Sequence, residues 1–166
     1  MCIRDSLETD LFNSGQRPAV NVGLLVSRVG GAAQIKAMKE VAGPLRLTLA
    51  QYRDLAAFSQ FASDLDEATQ RQLRRGARLT EILKQGQYLP IPAEQQVVQI
   101  LAATAGALDD VEMDKVLDFQ DALTQHFTTA KADLLQEILQ KGTLKKDNLR
   151  QRVVDAINAF KSTWQG

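Results

Sequence analysis

With 166 residues, 20 basic and 20 acidic side chains and a net charge of zero, the chain is long enough for one domain with its own core and offers no charge imbalance that would draw nucleic acid or an anionic membrane. A single cysteine, Cys2, excludes an internal disulfide, and with only one histidine, His126, a zinc centre is not expected. No apolar run approaches the roughly 20 residues of a membrane span, so no direct membrane insertion is expected.

In chain order, the first element is the apolar, β-branched stretch "PAVNVGLLVSRVGG" at 18–31, which reads as a strand with no second strand in the chain to pair with. Helical patterning begins at residue 32. "AAQIKAMKEVAG" is rich in helix formers and meets Gly43-Pro44, where a helix should stop or kink. Leu45, Leu49, Tyr52, Leu55, Phe58 and Phe61 then cover more than one face, which predicts a largely buried helix over 45–62. Residues 63–85 read as a turn followed by a helix with Asp or Ser as N-cap. Leu89 to Pro92, holding two prolines, reads as a stiff extended connector.

Beyond Pro92 the stripes are clear. Val97, Leu101, Ala105 and Leu108 form one; Val116, Phe119, Leu123 and Phe127 the next; Leu134, Leu135, Ile138 and Leu139 a short third. Leu149, Val153, Ile157, Phe160 and Trp164 repeat at three or four residues to give a last amphipathic helix. Acidic residues crowd 109–121 and basic ones 141–152, which reads as two solvated helix faces of opposite charge. The fold class expected is mainly α: a bundle of about six helices, preceded by a strand-like stretch that does not belong to it.

Motifs for autonomous catalysis are missing. There is no GxxxxGK[ST] phosphate loop and no GxGxxG. His126 lies inside an amphipathic helix, and the arginine row Arg71, Arg74, Arg75 and Arg78 has no interleaved aromatics for base stacking. Two arginines, Arg17 before a proline and Arg28 before a glycine pair, stand out in the glycine-edged N-terminal stretch.

That stretch, "ETDLFNSGQRPAVNVGLLVSRVGGAAQIKAMKEVAG", together with "LAQYRDLAAFSQFASDLDEATQ", "RGARLTEILKQGQYLPIP" and "AFKSTW", closely resembles the C-terminal third of the alpha subunit of bacterial F-type ATP synthases, collinearly over 7–166. The resemblance implies a subunit that alternates with catalytic beta subunits in a hexameric ring around a central gamma shaft, peripheral to the cytoplasmic side of the cell membrane and coupled to proton transport. It implies that Phe12, Arg17 and Pro18 wall the adenine pocket of a non-catalytic site for ATP or ADP with magnesium, and that Gln85 and Gln87 face the adenine from the helical domain. Arg28 matches the arginine extended in trans into the neighbouring beta subunit's catalytic site. Asp64 and Asp66 match the turn that approaches the shaft.

A planar, permanently charged guanidinium suits the spreading charge of phosphoryl transfer, and Gly30-Gly31 would let the backbone turn from Arg28 into a helix with Val26 and Val29 anchoring its flanks. Leu25 departs from the serine common in the family. The family's phosphate loop, magnesium site and N-terminal barrel have no counterpart, so the chain reads as a fragment, inactive alone and without tight nucleotide binding. The expected division is 1–6, "MCIRDS", a non-native leader from sequencing-adapter read-through; 7–34, the remnant of the nucleotide-binding domain; and 35–166, the C-terminal helical domain. A rival reading is a free-standing helical protein-interaction domain, which the unpaired strand disfavours; a nucleic-acid-binding bundle is disfavoured by the neutral charge.

Overall fold

The computed structural model describes residues 7–21, 28–59 and 65–164. Among them are eight α-helices and no strand. A short α1 (Thr9–Asn13) and α2 (Arg28–Ala33) precede a bundle of six: α3 (Lys36–Ser59), α4 (Glu67–Ile82), α5 (Ala93–Thr104), α6 (Val116–Ala130), α7 (Ala132–Lys141) and α8 (Leu149–Thr163). A 3-10 turn, Met113–Lys115, leads into α6.

The bundle is organised around α5, which packs against each of the other five helices. Seven consecutive residues, Val97 to Ala103, are buried. A helix buried on every side sits at the centre of its domain rather than on its surface. The expected stripe of Val97, Leu101, Ala105 and Leu108 is therefore too narrow: Ala102 and Ala103, small and easily overlooked, let neighbouring helices approach closely. Ala105 is exposed at the helix end, and Leu108 is buried only beyond it. On α6, Val116, Phe119, Leu123 and Phe127 are all buried as the spacing predicts, and on α8 Leu149, Val153 and Ile157 are buried with Phe160 and Trp164 packed at the margin.

The helix does not stop at Gly43-Pro44. Pro44 lies inside α3, where it removes one backbone hydrogen bond. The seam Ala37, Val41, Leu45 and Leu49, spaced four apart, is buried on both sides of the proline, so tertiary packing carries the helix across it. Nor is this helix largely buried where its side chains are described: Leu47 is exposed, Tyr52 and Leu55 are half-buried, and the Phe58 side chain lies outside the described ones. Phe61 lies outside the described residues.

Gly76 explains how α4 crosses α3. It is buried, and a Cβ placed on it would collide with the ring of Tyr52. Gly76→Ala should therefore destabilise the fold by about 1–3 kcal/mol, although alanine favours an isolated helix by up to ~1 kcal/mol. A urea midpoint equal to that of the parent would show that Tyr52 yields without cost.

The charged blocks are in part the solvated faces expected, with Asp114, Asp118, Asp121, Lys145, Lys146 and Arg150 exposed, and in part tied down by pairs. Arg75 forms a two-pronged pair with Asp109, Arg78 donates to the Val111 carbonyl at 2.8 Å, Arg71 pairs with Glu67 and Lys161 with Asp110. At the other end Glu137 receives Lys141 and Arg152, while Lys141 also meets Asp147. Lys141, then Arg152, hold the Glu137 carboxyl below its ordinary range, and Lys141 does the same for Asp147. Asp147, then Glu137, raise the Lys141 ammonium in turn. Depressed carboxylates contribute stability above their unfolded pKa, near 4, and lose it as pH falls through their lower folded values; Lys141 loses its share only as pH rises through its raised one. Denaturation across a pH series should accordingly show a decline below about pH 4 that Glu137→Gln flattens. An unchanged acid limb in that variant would remove the network from the account.

Candidate functional site

The site begins in the short helix α1. Its end is a Schellman motif: Gly15, at φ 86°, donates its N–H to the Phe12 carbonyl at 3.1 Å, and Gln16 donates to the Leu11 carbonyl at 2.9 Å. Glycine is required there because a side chain strains that backbone. The reversal carries Arg17 back over the helix it has just left. Its guanidinium carbon stands 3.5 Å from the centroid of the Phe12 ring, and Nη1 donates to the Phe12 and Gln16 carbonyls. The Arg17–Pro18 bond is cis.

Arg17 also joins the bundle. Its carbonyl accepts the backbone N–H of Gln85 at 2.8 Å, and the Gln85 side-chain amide donates to the Leu89 carbonyl across the same loop. Phe12, Arg17 and Gln85, named separately from the sequence, thus stand on one surface. Pro18 adjoins them and is exposed; Gln87 is exposed at the loop tip, next to Tyr88, which has φ 62° and is 90% exposed.

The N-terminal segment is held by more than this contact. Val20 pairs with Leu7 in an isolated antiparallel bridge, so the segment supplies a partner that the sequence reading lacked. Glu8 accepts from Asn21, which in turn accepts from Arg53 of α3. Nothing in the sequence pattern marked Glu8, Asn21 or Arg53, since their contact joins segments that are distant along the chain. Between this segment and the bundle lies a cleft of about 110 Å³, walled by Leu11, Gln16, Val20, Leu49, Tyr52 and Leu83.

Residues 22–27, including Leu25 and Val26 and the middle of the expected strand, lie outside the described residues. Arg28 is the first residue of α2, so the helix starts four positions before residue 32 and includes Gly30 and Gly31. Val29 is 82% exposed and does not anchor Arg28 in apolar packing. Asp64 lies outside the described residues. Asp66 is the N-cap of α4: its carboxylate accepts from the Thr69 N–H at 3.4 Å and from the Thr69 hydroxyl, which holds its pKa below the usual value. Among the described residues no group of three or more His, Cys, Asp and Glu side chains is placed to hold a metal ion, and no helix is long and apolar enough to cross a membrane.

Residues 34–160 match the family model described as ATP synthase alpha/beta chain, C terminal domain. The chain belongs to that family. It is 58% identical over 158 residues to the ATP synthase subunit alpha of Syntrophomonas wolfei and 56% identical over 155 residues to that of Aquifex aeolicus, with 95% and 93% of the chain covered. It spans about a third, 31%, of the length of either relative. Within the ATP synthase C-terminal domain, the matched segment takes in all six helices of the bundle, α3 to α8, apart from the last residues of α8. The Phe12 and Arg17 half of the candidate site lies ahead of it, and the similarity to subunit alpha extends over most of that half as well.

Proposed function

We propose that the chain serves as the C-terminal part of the alpha subunit of a proton-translocating F-type ATP synthase, binding a non-catalytic nucleotide and assisting catalysis on a neighbouring beta subunit. The observation that supports this best is the convergence of Phe12, Arg17 and Gln85. An exposed aromatic under a guanidinium, beside a side-chain amide, presents a planar stacking surface and polar edges, which suits a purine base. Pro18 and Gln87 complete the wall. The described residues suit the adenine of ATP or ADP with magnesium, and the part assigned to this chain is to hold and orient the base.

Arg28, at the start of α2, supplies positive charge in trans to the beta subunit's catalytic site. Asp66 approaches the gamma shaft as the fixed tip of α4, its carboxylate committed to the cap; Asp64 belongs to the same turn. The assembled complex lies peripherally on the cytoplasmic side of the membrane, and residues 7–34 belong with the nucleotide-binding domain.

Half an adenine pocket without a phosphate cradle should not bind nucleotide tightly. Calorimetry of the isolated chain with magnesium ATP is expected to show no binding in the micromolar range or tighter. In a full-length subunit, Arg17→Ala should weaken the non-catalytic site with a smaller effect on turnover; unchanged occupancy of that site would sink the assignment.

A further inference from the structure

The loop between α4 and α5, residues 83–92, carries Gln85 and Gln87, and glutamines from the bundle grip both of its ends. Ile82, the last residue of α4, has a carbonyl without an intrahelical partner; Gln120 of α6 donates its Nε2 to that carbonyl at 3.3 Å. At the far end Gln96 of α5 donates its Nε2 to the Ile91 carbonyl at 2.6 Å. The two are backed by a polar strip through the core. Gln99, one turn beyond Gln96, donates to the Thr124 hydroxyl at 2.9 Å, and that hydroxyl donates to the Gln120 carbonyl at 2.7 Å.

Gln120 is only 6% exposed, and its Oε1 has no hydrogen-bond partner among the described residues. A buried acceptor left in that state is unfavourable, and an apolar side chain of the same shape would avoid it. What such a side chain would lose is the hold on the Ile82 carbonyl. We propose that Gln96 and Gln120 are positioning residues that clamp the two ends of the α4–α5 loop, so that Gln85 meets Arg17 and presents its side chain with Gln87 to an adenine nucleotide. The clamp stands on the geometry alone; its consequence for nucleotide rests on the function proposed above.

Three variants of the full chain test it: Gln96→Glu, which removes the donor with little change of shape, Gln96→Lys, which keeps a donor, and Gln120→Met. The readouts are hydrogen exchange at the Gln85 amide and tryptic cleavage after Lys84, both of which follow local opening. Gln96→Glu and Gln120→Met should accelerate both by about three- to tenfold while exchange within α6 and α8 stays at the parent rate, and Gln96→Lys should restore protection. If loop and helices loosen in the same proportion, or the loop does not loosen, the two glutamines are ordinary fold contacts and the proposal falls. The same variants in a full-length assembled subunit should weaken non-catalytic adenine-nucleotide binding. A loosened loop with unaltered nucleotide binding would leave the clamp standing and overturn the roles given to Gln85 and Gln87.

Discussion

Arg28→Ala, made in a full-length alpha subunit and assembled with its partners, is expected to lower multisite ATP turnover by at least about 10³ while leaving ring assembly and non-catalytic nucleotide binding nearly intact. The expectation follows from the in-trans role proposed for Arg28. Charge spreads over the phosphoryl oxygens in the transition state, and a preorganised guanidinium stabilises it more than it stabilises bound substrate. Arg28→Lys should recover little of the loss, because a point charge on a flexible stem does not reproduce the planar fork. Single-turnover and steady-state rates of the reconstituted complex decide the matter. Near-normal turnover for Arg28→Ala would remove the in-trans role from this arginine.

The largest effect on the fold is expected at Phe119. It is 1% exposed, and its ring meets Phe160 and Trp164 edge-on, with centroids 5.5 and 5.0 Å away. Phe119→Ala should cost about 3–5 kcal/mol, from lost burial and from the cavity left between α6 and α8. Against a typical domain stability of about 5–15 kcal/mol that is a large fraction. Trp164 is the only tryptophan in the chain, so its emission reports on the contact directly. A red shift in the folded variant together with the fall in urea midpoint is the expected pair of results, and a loss below about 1 kcal/mol would mean that Phe160 and Trp164 close the gap.

Where one side chain per turn is buried, as on α6 and α8, periodicity reads correctly, because it reports the contact that stabilises the helix. It fails where that contact is of another kind. Helix α1 is too short to have a period and was not expected. Pro44 signalled a stop or a kink; the helix does not stop there, because the seam from Ala37 to Leu49 carries it on, an instance of packing outweighing local preference. At the candidate site, Phe12, Arg17 and Gln85 were named through family resemblance, while their meeting depends on a chain reversal and one backbone hydrogen bond that no local pattern encodes. A capping Asp or Ser ahead of α4 was legible because capping is local, and the structure makes it Asp66. The glutamine strip was not, since a buried Gln looks like a surface Gln until its neighbours are known.

The first helix of the bundle meets the connection between α7 and α8 at one carboxylate. Glu40 in α3 accepts from the Thr143 hydroxyl at 2.6 Å and from the Leu144 N–H at 3.0 Å, and the Ala37 N–H beside it bonds to the Gly142 carbonyl. The first pair is separated by 103 positions. A chain emerging from the ribosome therefore makes the first helix of the bundle long before the residues that fasten it exist. Loop-closure entropy must be overcome across most of the domain before that fastening contributes anything, and contacts of such separation slow folding. Helices α4 and α5, which pack on α3 most extensively, are made well before residues 142–144, so the apolar seam of α3 stands open to water and to other chains only until they arrive. The nascent bundle is thus most exposed to aggregation or chaperone capture between the synthesis of α3 and that of α5, and a chain ended just upstream of Gly142 would have the seam covered but lack the fastening at Glu40.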